Sequence, residues 1–185
     1  SVMMLVLRAQ IVRVVLGAGA FDWNDTYLTA QALGFFSLSL FAQAVIPLLT
    51  RSFYAWQDTK TPVKTAVVSL LINTVGAYFL SKQLGGIGLA LAFSIASFAQ
   101  MAILLFLLRK RIGTLDDRVI STSVLKILLI SAVSGAVMVA AKYFLALGVD
   151  MHTFVGIFIQ GVGAGVVGLL TYAVLAFIFR CDEIK

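Results

Sequence analysis

Residues 154–179 read FVGIFIQGVGAGVVGLLTYAVLAFIF, from Phe154 to Phe179, without one charged side chain. As an α-helix rising 1.5 Å per residue, such a run is about 39 Å long, enough to cross roughly 30 Å of hydrocarbon. A helix is also the form that satisfies its backbone polar groups internally where no water is present. Four runs of the same kind precede it, at Tyr27–Thr50, Val63–Leu80, Leu89–Leu108 and Val124–Leu147. Over its 185 residues the chain is 61% hydrophobic and only 12% charged, half the charge of an ordinary soluble domain. The sequence therefore predicts an all-α fold, a polytopic transmembrane helix bundle with five complete spans.

Outward from these runs, Ser1–Leu16 is apolar apart from Arg8, Gln10 and Arg13. Its helix would reach only about 24 Å. It reads either as the end of a truncated span or as an interfacial helix whose arginines reach headgroups. The first residue is Ser1, and no charged segment followed by a small-residue cleavage site opens the chain; the expectation is a piece of a longer protein without a signal peptide. Gly17 to Asp25 supplies turn chemistry, with Trp23 suited to a membrane interface. Asp25 or Thr26 is the expected N-cap of the first complete span, and Thr61 that of the second, with Pro62 as its first helical residue. Polar loops are expected at Arg51–Thr61 and Gly113–Thr122, and short turns at Gly85–Gly88 and Gly148–Thr153. Such brief connections make consecutive spans antiparallel neighbours.

The net charge of +6 does not indicate a nucleic-acid partner, because the basic residues sit between apolar runs and form no stripe on a soluble face. Of the 14 lysines and arginines, Arg8, Arg13, Lys82 and Lys142 fall on one side of the alternating spans and the other ten on the opposite side. The positive-inside bias places the Arg51 and Arg109 loops and the C-terminus in the cytoplasm, with Asp150 and His152 outside. The single cysteine, Cys181, allows no internal disulfide.

Inside the spans there is no acid, which argues against a self-contained ion-coupled relay. Lys126 and Lys142 lie near span ends and can snorkel, and Lys64 falls in a first helical turn. Gln31, Gln43 and Pro47 interrupt the first span and should face protein or an aqueous cavity. Asn73, near the middle of the second span, suits an interhelical hydrogen bond more than an ion or substrate contact; Ser94 and Ser97 read as bundle contacts. Gly161 and Gly165, with Gly163 and Gly168 nearby, make a small face that allows close helix approach. His152 has no partner at ligand spacing, so no metal site is expected. No nucleophile elbow, phosphate loop or His-Glu-x-x-His run is present, so neither an enzyme nor a cofactor is expected.

Two stretches carry a family resemblance. The first is Ile11-Val12-Arg13-Val14-Val15-Leu16-Gly17-Ala18-Gly19-Ala20-Phe21-Asp22 with Asp25-Thr26 and Thr29-Ala30-Gln31-Ala32-Leu33. The second is Arg51-Ser52-Phe53-Tyr54-Ala55 with Asp58-Thr59-Lys60-Thr61-Pro62-Val63. Together with Gly86-Ile87-Gly88-Leu89-Ala90-Leu91-Ala92, they resemble the second lobe of MurJ-type (MviN) lipid II flippases of the multidrug, oligosaccharidyl-lipid and polysaccharide exporter superfamily. The resemblance implies fourteen helices in two lobes around a central cavity. Ser1–Leu16 would then end helix nine, and the five spans would be helices ten to fourteen.

It further implies alternating-access flipping of lipid II, an undecaprenyl-pyrophosphate-linked glycan, across the bacterial cytoplasmic (inner) membrane, together with membrane lipids and the missing N-terminal lobe. On this reading residues 1–108 end the second lobe, with Gln43, Arg51 and Asn73 as candidate substrate contacts. Residues 109–185 hold a cytoplasmic loop and the last two helices, with Gly161 and Gly165 as packing positions of a lipid-tail groove. Some family members hold a cation with an Asn and an acid one turn later; here Asn73 is followed by Ala77. An exporter of O-antigen or exopolysaccharide units, or a membrane scaffold without transport, are the alternative readings.

Overall fold

The computed structural model describes residues 1–16, 23–113, 117–148 and 153–179. Phe21, Asp150, His152, Arg180, Cys181 and Lys185 lie outside the described residues, as do the side chains of Trp23 and Arg118. The described residues form seven helices: α1 (Val2–Val6), α2 (Arg8–Leu16), α3 (Trp23–Ala55), α4 (Lys60–Leu84), α5 (Gly86–Ile112), α6 (Asp117–Gly148) and α7 (Phe154–Ile178). Five of these, α3 to α7, are long and apolar enough to cross a membrane, as the five apolar runs predict. Much of their surface is outward-facing and greasy: Leu147 is 86% and Phe177 80% exposed, the arrangement expected of side chains facing lipid.

Most helices outrun the apolar segments that announce them. α3 begins at Trp23, so Asp25 and Thr26 stand in its first turn and neither is its N-cap. It continues past Arg51 to Ala55, which shrinks the expected Arg51–Thr61 loop to 56–59. α4 likewise begins at Lys60, so Thr61 is not its N-cap and Pro62 is its third residue, still within the turn whose N–H groups lack intrahelical partners. α6 begins at Asp117, inside the expected Gly113–Thr122 loop. In each case polar residues at a membrane boundary extend the helix because its last turns can stand in water.

The chain divides into two compact units. One, essentially Leu28–Leu115, contains α3, α4 and α5. Here α5 presents two stripes. Gly88, Ala92 and Ala96 recur every four residues on the side of α4, where Ser69 donates to the Ala96 carbonyl at 3.0 Å and Gly76 meets Ala92. Ser94, Ser97, Leu104 and Leu108 face α3; Leu49 and Phe53 of α3 pack on Leu104 and Leu108, and Ser94 donates to the Phe35 carbonyl at 2.7 Å. The α4–α5 reversal is very tight. Gly85 has φ +59 and is the only residue between the two helices, while a Cβ on Gly88 would run into the Leu80 carbonyl.

The other unit, Val2–Tyr27 with Asp116–Lys185, contains α1, α2, α6 and α7. α6 and α7 pair as antiparallel neighbours, joined where Ser134 donates to the Gly168 carbonyl at 2.6 Å. α1 lies against α6 and α2 against α7. At the bend between them Leu7 is 2% exposed and packs with Met138 and Ala164. The hydrogen-bond ladder runs through this bend, from Leu7 N–H to the Met3 carbonyl and from Ile11 N–H to the Leu7 carbonyl, both 2.9 Å.

Candidate functional site

Gln43 and Pro47 lie one turn apart in the middle of α3. Pro47 has no N–H, so it cannot bond the main-chain carbonyl of Gln43 four residues earlier. The Gln43 side chain is exposed and donates from Nε2 to Ser97 Oγ of α5 at 3.0 Å. Polar side-chain and backbone groups thus meet at one level of a membrane-spanning helix, where such groups line cavities or face protein.

Arg51 sits two turns further along α3, about 12 Å from Gln43 by helical rise. It is exposed and two residues from the buried Phe53, which places it on the side of α3 away from α5. Among the described residues it makes no hydrogen bond or ion pair. Asn73 follows Ser69 by four residues and precedes Gly76 by three, so it shares the stripe of α4 that touches α5. It is half-buried and makes no hydrogen bond among the described residues. Gln43 and Asn73 therefore approach α5 from its two sides, and the three candidate residues do not form one hydrogen-bonded set.

Gly161 and Gly165 of α7 face the chain's own N-terminal helices. A Cβ on Gly161 would stand 3.3 Å from Gln10 Cβ, and one on Gly165 would stand 3.0 Å from Met3 Cε and 3.5 Å from Leu7 Cδ1. Beside this contact Gln160 is 3% exposed, accepts from Gln10 at 3.1 Å and donates to the Lys142 carbonyl at 2.8 Å. Elsewhere between α6 and α7 an apolar cleft of about 250 Å³ is lined by Leu129, Ile130, Val133, Leu175 and Phe179, with Lys126 at its edge.

Asp58 is the residue that sequence reasoning missed. Its carboxylate accepts from the Thr61 backbone N–H at 3.0 Å and the Thr61 hydroxyl at 2.8 Å, and from Arg111 at 2.6 Å. The Asp-x-x-Thr spacing before a helix is the signal that could have found it, since an aspartate caps the amide three residues on. The backbone N–H of Thr61, then its hydroxyl, with Arg111 adding to both, hold the Asp58 carboxyl down at about 2 against an opposing burial effect. Hydrogen bonds to the charged form and a nearby cation both favour ionisation. Among the described residues no group of three or more His, Cys, Asp or Glu is placed to hold a metal ion.

Residues 1–159 match the family model described as "Lipid II flippase MurJ". A "Probable lipid II flippase MurJ" of Rhizobium tropici is 31% identical over 139 residues, 75% of this chain and 26% of that protein. One of Rickettsia prowazekii (strain Madrid E) is 37% identical over 100 residues, 54% of this chain and 20% of that protein. The solved structure "Lipid II flippase MurJ, inward closed conformation" superposes over 100% of this chain and 36% of its own, with a TM-score of 0.72 at 26% identity. The chain thus spans about a fifth to a third of the length of the relatives it matches.

Proposed function

The chain belongs to the MurJ lipid II flippase family, and from that premise we propose that it is the C-terminal portion of a transporter that flips lipid-linked peptidoglycan precursor across the bacterial cytoplasmic membrane. The observation that carries this reading is the unbroken family match over residues 1–159, which runs through six of the seven helices and into α7. The substrate is an undecaprenyl-pyrophosphate-linked glycan, and no covalent bond of it needs to change. The reading is transport rather than catalysis.

The physical problem is to carry a charged, sugar-bearing headgroup through hydrocarbon while its tail stays in lipid. In this proposal α3, α4 and α5 form one wall of the headgroup cavity. Gln43, with its side chain and a main-chain carbonyl without a donor from Pro47, offers hydrogen bonds to sugar or peptide groups. Arg51 offers a guanidinium fork matched to phosphate oxygens, and Asn73 lines the α4–α5 seam. The last two helices serve the lipid tail, and the apolar cleft between α6 and α7 supports that division of labour. Residues 1–108 then end the second lobe and residues 109–185 add the tail-handling pair. The remaining headgroup contacts come from the N-terminal lobe.

Orientation follows the ten-to-four division of cations, with the Arg51 and Arg109 loops and the C-terminus in the cytoplasm. Membrane-impermeant thiol labelling of intact cells checks it. A cysteine replacing Lys110 should be protected and one replacing His152 labelled; the reverse pattern overturns the topology. For function, depletion of the full-length transporter in growing cells should accumulate precursor in the inner leaflet. Normal arrival of precursor at the outer leaflet after depletion would remove the assignment.

A further inference from the structure

We infer that Asp58 is a positioning residue that locks the ends of α3, α4 and α5 into one corner, with Arg111 as its partner, and so sets where the end of α3 that bears Arg51 stands during transport. The inference rests on the flippase reading for its link to transport, while the corner itself stands on geometry.

Three separate bonds of one residue tie three helices. The Asp58 backbone N–H bonds the Phe53 carbonyl at 3.1 Å, and the Gln57 N–H bonds the Tyr54 carbonyl at 2.9 Å. With Gln57 at φ +57, this is the Schellman termination of α3, its left-handed position filled by a residue other than the usual glycine. The Asp58 side chain then caps α4 through Thr61, a job Thr59, immediately before the helix, does not do. The same carboxylate reaches the last turn of α5 at Arg111. Arg111 in turn lies over the Trp56 ring at 5.4 Å, and Trp56 meets the edge of Phe53 at 6.4 Å. Phe53 is 1% exposed between α3 and α5.

The connector of four residues therefore has little freedom left. Arg51 lies half a turn before Phe53 on the same end of α3, so the place of its backbone follows the corner while its exposed side chain stays free to reach a ligand. A charge-assisted bond at this length is stronger than a neutral one. Asp58 is 19% and Arg111 45% exposed, so water reaches the pair and its hold depends on the two Thr61 bonds acting with it. Nothing in the transport proposal itself requires this carboxylate to touch substrate, and its three acceptor bonds leave it occupied.

The test uses the full-length transporter in vesicles with lipid II, comparing wild type with Asp58→Asn, Arg111→Gln, the double variant and Arg111→Lys. Asp58→Asn keeps an oxygen for the Thr61 amide but loses the charge. Each of the first two should lower the maximal flipping rate by about tenfold, the scale of one lost charge-assisted bond, with the half-saturating lipid concentration unchanged. The double variant should be no worse than either single one, since contacting partners are non-additive, and Arg111→Lys should recover most of the rate. Hydrogen exchange over residues 56–61, read on the same samples, should quicken in both single variants. Wild-type rates in both, additive losses, or a raised half-saturation with an intact maximal rate would overturn the positioning role. Should the wild-type protein flip nothing, the flippase reading falls; the exchange data then decide the corner alone, with unchanged exchange overturning it.

Discussion

Gln160 of α7 donates from its side-chain amide to the main-chain carbonyl of Lys142 on α6, at 2.8 Å, in a position where its side chain is nearly sealed from the surface. That bond settles which end of the amide is which. Its oxygen must accept, and Gln10 of α2 supplies the donor at 3.1 Å. Three helices are pinned by one relay, whose far end, Gln10 Oε1, is buried and has no hydrogen-bond partner among the described residues.

From this relay, Gln160→Leu should destabilise the full-length protein by about 1 kcal/mol, because it takes the acceptor from the amide nitrogen of the half-buried Gln10. Gln10→Leu combined with Gln160→Leu should recover much of the loss, since both polar partners are then gone. Thermal unfolding in detergent measures this; a double variant clearly less stable than Gln160→Leu would contradict it.

The low-lying Asp58 carboxyl gives a pH signature. Its folded value, about 2, lies below the ordinary 3.8, so its contribution is fully present above the ordinary value and is lost as pH falls from about 4 toward 2. Between pH 5 and 8 this group should add no pH dependence to stability. Comparing wild type with Asp58→Asn by thermal unfolding, the gap between them should be constant over that range and narrow in stronger acid. A gap that widens toward acid would contradict the assignment.

At the α4–α5 reversal, Gly88→Ala should cost about 1–3 kcal/mol, the usual scale for forcing extra volume into a packed site, because its Cβ meets the Leu80 backbone, which cannot step aside. Gly86→Ala, two residues earlier, meets nothing within 4 Å and should leave stability unchanged. Melting temperatures of the two variants should separate clearly, and equal melting temperatures would show that the tight approach is not a constraint.

On α7, Gly165→Ala should be tolerated, because the atom it meets is the flexible tip of Met3. Gly161→Trp or Gly165→Trp should push α1 and α2 off α7 and impair precursor flipping while leaving membrane insertion intact. Flipping at wild-type rate in both tryptophan variants would argue strongly against a role for this face in transport.

The number of spans was legible because an apolar run of membrane length has few other uses, and α7 emerged within one residue of its expected end. Helix boundaries were less legible. Trp23–Thr26, Arg51–Ala55 and Asp117–Ser121 are helical although their polarity reads as loop, since a helix leaving the bilayer loses its apolar signature before it loses its hydrogen bonds. Asp58 was passed over because Thr61-Pro62 offers a competing capping pattern, and only side-chain geometry shows which residue accepts the amide. Gln10 and Gln160 stand 150 positions apart; no local pattern announces such a pairing, nor that Gly161 and Gly165 would receive the chain's own first helices.

The central claim, that this chain completes a lipid II flippase, is tested most directly by reconstituting the full-length transporter in vesicles carrying lipid II in one leaflet and following its appearance in the other. The account predicts protein-dependent translocation that is lost when α3 to α5 are replaced by unrelated apolar helices of equal length. Translocation at the same rate in the replaced protein, or none above protein-free vesicles in the intact one, would contradict it.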